Sequence, residues 1–177
     1  MSGRVAGLAL LAVLALIAPP GRAEELGVMT ARLDGVPHAW RIYALDRPGG
    51  RIVTAGFRQS QWLAELQVQG YTEPTFAGAD GMAVTVRFSG WYEPGMEPLS
   101  VDILHTPDGM GGPFWTSRGT SRPARVEIVR FDVLGSVGEI ELAFTGELCR
   151  KPSLSAAVDF GTCVEVLGVV ETRVSME

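Results

Sequence analysis

The sequence predicts an all-β fold: one antiparallel β-sandwich of about nine to ten short strands, closed by a single disulfide. Three observations predict it. Apolar and polar residues alternate with a period of two over most of the chain, and no stretch holds a helical period. Turn dipeptides punctuate that alternation at short intervals. The only two cysteines fall at the ends of two successive strand patterns.

The chain opens MSGRVAGLALLAVLALIAPPGRAEE. Arg4 supplies a positive n-region, Val5 to Ala18 is an unbroken small and aliphatic run, and Gly21-Arg22-Ala23 places small residues at −3 and −1 of a cleavage site. That is the pattern of a secretory signal peptide, residues 1–23, followed by one domain, residues 24–177. The apolar run has about fourteen residues where a spanning helix needs ~20, and Pro19-Pro20 ends it. Removing 1–23 takes Arg4 and Arg22 and no acid, which moves the formal charge from −5 to about −7. No later stretch is apolar for long enough to span a membrane as a helix. An acidic chain with scattered arginines and a single lysine, Lys151, lacks the footprint of a nucleic-acid binder. The alanine- and leucine-rich leader and the excess of arginine over lysine point to a periplasmic or secreted bacterial protein.

Strands are expected over roughly 27–34, 37–45 and 51–58. Next, Trp62, Ala64, Leu66 and Val68 form one apolar face against Glu65, Gln67 and Gln69. Met82, Val84, Val86 and Phe88 form another, against Thr85, Arg87 and Ser89. Further strands are expected over about 99–105, 114–118 and 124–133. Ile140, Leu142 and Phe144 alternate with Glu139, Glu141 and Thr145, and a last strand covers about 162–174. Asp34-Gly35, Pro48-Gly49-Gly50, Asp80-Gly81, Pro94-Gly95, Asp108-Gly109 and Gly135 to Gly138 supply the turns. A sandwich is preferred to a barrel because the strand lengths are uneven and the loop 105–113 is long and glycine-rich.

Cys149 ends one strand and Cys163 begins the next, so a bridge would staple the base of a hairpin. Thirteen intervening residues fit neither a CxxC redox pair nor a zinc knuckle.

Residues 124–174 run ARVEIVRFDVLGSVGEIELAFTGELC, a polar loop, then TCVEVLGVVETRV; residues 29–40 read MTARLDGVPHAW. These segments resemble the C-terminal hairpin and the opening strand and turn of small exported bacterial β-sandwich proteins of uncharacterised function. The resemblance implies a fold and carries no catalytic residues.

Candidate sites are few. His38 shares a strand face with Trp40, Ile42 and Ala44, and His105 shares one with Val101 and Ile103. The simpler expectation is a partly buried histidine bonded to a loop carbonyl; the sharper one brings both together with Asp34, Asp102 or Asp108 to bind a metal. A Ser100, Asp102, His105 triad is opposed by the strand period, which puts His105 on the other face from Ser100 and Asp102. Glu93, Glu97 and Asp102, or Glu139, Glu141 and Glu147, could pair as glycosidase carboxylates, although the second group reads more simply as a solvated strand face. Gly109-Met110-Gly111-Gly112 lacks the lysine and helix of a phosphate cradle. The aromatic pairs Trp91-Tyr92 and Phe114-Trp115 are the preferred binding residues, because adjacent side chains on a strand point to opposite faces and one ring of each pair should face outward.

The expectation is therefore a non-enzymatic exported domain that binds a protein or glycan partner in the cell envelope through Trp91, Tyr92, Phe114 and Trp115, without a cofactor. The alternative is a metal-assisted or carbohydrate-active hydrolase using His38, His105 and nearby acids.

Overall fold

The computed structural model describes residues 23–74, 80–153 and 155–176, so all but the last residue of the expected signal peptide lies outside the described residues. Eleven strands follow in order: β1 (Ala23–Leu33), β2 (Val36–Arg47), β3 (Gly50–Val53), β4 (Ala55–Gln59), β5 (Leu63–Tyr71), β6 (Gly81–Ser89), β7 (Ser100–Thr106), β8 (Phe114–Thr116), β9 (Arg125–Leu134), β10 (Val137–Lys151) and β11 (Asp159–Met176). The one helical turn among them is the 3₁₀ turn Gly109–Gly111.

Turn chemistry sets the hairpins. Asp34 and Gly35 both take positive φ, 50° and 83°, and their twist matches the strands they join, so Leu33 faces Val36. Pro48-Gly49 joins β2 to β3, with Gly49 at φ 106° where a side chain would be strained.

The all-β, single-disulfide fold holds. Its strands belong to one hydrogen-bonded sheet, not to two separate ones. In sequence β1, β2, β5, β6, β7, β8, β10 and β11, each strand pairs with the next and β11 returns to β1, so the sheet closes into a ring. Every pairing is antiparallel except β4 with β11. Closure depends on Thr54. Its hydroxyl accepts from the Tyr43 N–H at 3.0 Å, its own N–H donates to the Tyr43 carbonyl at 2.9 Å, and its carbonyl accepts from the Gln69 N–H at 2.7 Å. The chain thus leaves β2 and joins β5 at a single residue. This divides the stretch expected as one strand, 51–58, into β3 and β4.

The strands are also not uniformly short. β10 and β11 run 15 and 18 residues, because both cross the whole ring and β11 pairs with β10 on one side and β1 on the other.

The interior is filled by one cluster in which Trp40, Phe57, Phe88 and Phe144 are almost wholly buried. On β6 the predicted face, Met82, Val84, Val86 and Phe88, points inward. Trp62 does not join the β5 face: it is 79 % exposed. The Ser60 hydroxyl accepts from the N–H groups of Trp62 and Leu63, so Trp62 belongs to the turn and the pleat begins only at Leu63. Close packing has a backbone requirement at Gly168, where a Cβ would come within 2.4 Å of Phe144 Cζ and 2.6 Å of the Thr30 carbonyl oxygen.

Candidate functional site

Inward-facing His38 and Trp40 on β2 meet inward-facing His105 on β7 near one end of the ring. The His38 and Trp40 rings stack at 5.5 Å and 7°, and His105 stands edge-on to both, 5.7 Å from Trp40 and 6.1 Å from His38. The acid here is Asp80, at the start of β6. Its Oδ1 accepts from Trp40 Nε1 at 2.9 Å and lies 2.8 Å from His105 Nε2. Asp80 takes a left-handed φ of 65°, and its own N–H is held by the Thr106 and Pro107 carbonyls. The two histidines are therefore brought together, but His105 is bonded to a carboxylate and not to a loop carbonyl.

Asp102 and Asp108 are not part of this cluster. Asp108 is exposed beside the 3₁₀ turn. Asp102 lies on the outer face of β7, where it accepts from Arg118 Nη2 at 2.8 Å and Arg87 Nη1 at 3.0 Å. The hydrogen bond from Arg118 is the main reason its carboxyl is held below the usual range. Arg87 continues to the buried Glu65 at 2.6 Å and Glu65 to Arg58 at 2.6 Å, so alternating charges brace β4 to β7 from outside. Asp34 is an exposed turn residue. Among the described residues, the one group of three potential metal ligands within 4.8 Å of one another is Glu147, Cys149 and Cys163, and both sulfurs there are joined as the disulfide. Glu139 pairs with Arg130 on a solvated face, whereas Glu147, paired with Arg122, has a side chain only 14 % exposed and is not solvated.

Burial pushes the His105 imidazole down, and the Asp80 carboxylate, which favours the charged form, offsets this only in part. The folded protein keeps His105 neutral where the unfolded chain, with a pKa of about 6.5, already takes up a proton. The unfolded state then binds more protons, so this contribution is complete above about pH 6.5 and is lost as pH falls below it. We expect the melting temperature to drop more between about pH 7.5 and 5.5 in the wild type than in His105→Gln. Equal drops would mean that His105 is not desolvated in the folded state.

The aromatic pairs behave differently from each other. Tyr92 turns inward and packs on Phe88, Phe131 and Phe57 at 4.8, 5.4 and 6.0 Å, which leaves Trp91 outside and 57 % exposed. Phe114 is almost fully buried, with Gly112 so close that a Cβ would lie 3.1 Å from its ring, and Trp115 packs partly against the core. The pairs do not form one patch. Trp115 faces His105, which faces Met82 at one end of β6, whereas Trp91 follows its other end, about 20 Å away along the strand.

What does gather at the Trp91 end is apolar and exposed. Trp62 precedes β5, Trp91 follows β6 and Leu99, 68 % exposed, precedes β7; all three flank the same end of neighbouring strands. The Gly90 N–H donates to the Trp62 carbonyl at 3.0 Å and the Leu99 N–H to the Arg87 carbonyl at 2.7 Å, which fixes the backbone beneath them. Sequence reasoning missed Trp62, because alternation placed it with the core, and missed Asp80, because Asp-Gly reads only as a turn. No protein-family model, curated protein or solved structure matches this chain.

Proposed function

We propose that this chain is an exported, non-enzymatic binding domain of the bacterial envelope that captures a protein partner through Trp62, Trp91 and Leu99. The observation that carries the reading is the exposure of two tryptophans and a leucine on one fixed end of the sheet. A tryptophan covers about 150–250 Å² on burial, worth roughly 4–6 kcal/mol at ~25 cal/mol per Å² before ordering costs. Leaving two in water is a standing penalty that a partner removes. Leu99 favours a protein over a glycan, since an aliphatic side chain adds to a hydrophobic interface and offers a sugar no ring to stack on. The disulfide fits an oxidising compartment.

The test is the affinity of the partner isolated by crosslinking through this end of the oxidised, mature protein. Trp62→Ala and Trp91→Ala should each weaken it by about 30-fold, as loss of a 2 kcal/mol hot spot does, with little change in melting temperature. Met110→Ala, in the separate 3₁₀ turn, should not. Unchanged affinity in both tryptophan variants would overturn the proposal.

A second reading, metal-assisted or carbohydrate-active hydrolysis, draws on the 6.1 Å approach of His38 and His105. It expects zinc to perturb the imidazole resonances of both histidines together at stoichiometric concentration, and a titration that leaves either unchanged ends it.

A further inference from the structure

The ring of strands is held by very little between β7 and β10. β8 contributes three residues there, and after Thr116 the chain leaves the sheet until β9 begins at Arg125. β10 pairs with β8 only over Cys149 to Lys151 and with β9 over Val137 to Thr145. Among the described residues, Ser100 to Asp102 of β7 pair with β6 on one side and with no strand on the other, and β9 pairs only with β10. Between the two free edges lies a cleft of about 840 Å³, lined among others by Leu99, Val101, Asp102, Ala124, Arg125 and Val126.

The backbone of β7 is oriented to use it. Ile103 donates its N–H to the Ser117 hydroxyl at 2.8 Å and accepts from the Ser117 N–H at 3.0 Å, so its polar groups point away from β6. Two residues back, the strand period turns the N–H and C=O of Val101 the same way, into the cleft. Val101, Ala124 and Val126 pack partly against the core, so the floor is apolar. On the lips, Glu97 and Arg125 are exposed, and no acid or base among the described residues pairs with either, whereas Asp102 and Arg118 pair with each other.

We propose that this cleft takes an extended polypeptide segment of the partner as an added β-strand. The segment hydrogen-bonds to the Val101 edge of β7 and sets alternate apolar side chains on Val101, Ala124 and Val126. Its charges complement the lips, a base toward Glu97 and an acid toward Arg125. An unpaired main-chain edge is satisfied along its length by another main chain, which is how strand addition gains affinity while alternate side chains supply selectivity. The proposal rests on the partner binding assigned to the Trp62, Trp91 and Leu99 end, and Leu99 belongs to both surfaces.

The probe is the peptide acetyl-Lys-Val-Thr-Val-Thr-Val-Glu-amide, titrated into the ¹⁵N-labelled, oxidised, mature protein. Saturable shifts are expected at Val101, Ala124 and Val126, with amide exchange at Val101 slowed by about tenfold or more. The same peptide N-methylated at alternate residues, in either of the two phases, should lose binding in the phase that faces β7. The Trp62→Ala, Trp91→Ala double variant should bind this short peptide as the wild type does. No response at Val101 up to millimolar peptide, or equal binding by both methylated forms, overturns strand addition. So does protection of Val101 that rises with protein concentration alone, which would assign the cleft to a second copy of the chain. If the peptide fails while the tryptophan variants still weaken the partner, the rim reading stands without the strand. If the tryptophan variants leave partner affinity unchanged, the rim reading falls whatever the peptide does.

Discussion

Trp40→Ala is expected to destabilise the protein by about 3–5 kcal/mol, the range for a large aromatic removed from a packed core. Trp40 is fully buried, stacks on His38 and donates to Asp80, so the loss opens a cavity and leaves a carboxylate short of a partner. At roughly 2–4 °C per kcal/mol for a domain of this size, the melting temperature should fall by about 6–20 °C. Trp62→Ala, at an equally apolar-looking position in the sequence, should change stability by no more than about 0.5 kcal/mol. Thermal unfolding followed by near-ultraviolet circular dichroism compares them directly. A loss below about 1 kcal/mol for Trp40→Ala would contradict its place at the centre of the ring.

Cleaving the bridge should have the next largest effect. Cys149 and Cys163 sit opposite each other on β10 and β11, 14 residues apart in sequence, and Cys149 is fully buried. Opening a loop of that length gives the unfolded chain about 3 kcal/mol of conformational freedom in the chain-entropy model. The Cys149→Ser, Cys163→Ser double variant should therefore show a lower urea midpoint with an m-value close to that of the oxidised protein. A midpoint unchanged within error would show that the β10–β11 pairing alone holds this end.

Side-chain chemistry carried the parts of this fold that were legible in the sequence. The inward face of β6 follows from strict alternation, and the disulfide follows from two cysteines bounding adjacent strands. The opposed faces of Asp102 and His105 follow from the same period. Ring closure was not legible because it depends on backbone partners: nothing about a threonine announces that its hydroxyl and N–H bond to Tyr43 while its carbonyl accepts from Gln69. Trp62 was misplaced for a related reason, since alternation does not show where a pleat begins, and the Ser60 hydroxyl decides that. At the candidate site, one outward ring per aromatic pair was a sound rule for Trp91 and Tyr92. It failed for Phe114 and Trp115, where Phe114 is almost fully buried and Trp115 packs partly against the core.

The pairing of β1 with β11 sets Gly27 beside Thr172 and Leu33 beside Val166. A polypeptide synthesised amino end first delivers β1 long before the segment that must lie against it. Until β11 arrives, β1 has a partner on one side only, and the ring cannot shut. Such distant contacts are also slow to form once both ends are free. A chain wired this way cannot shut its ring until its carboxyl-terminal strand has been made.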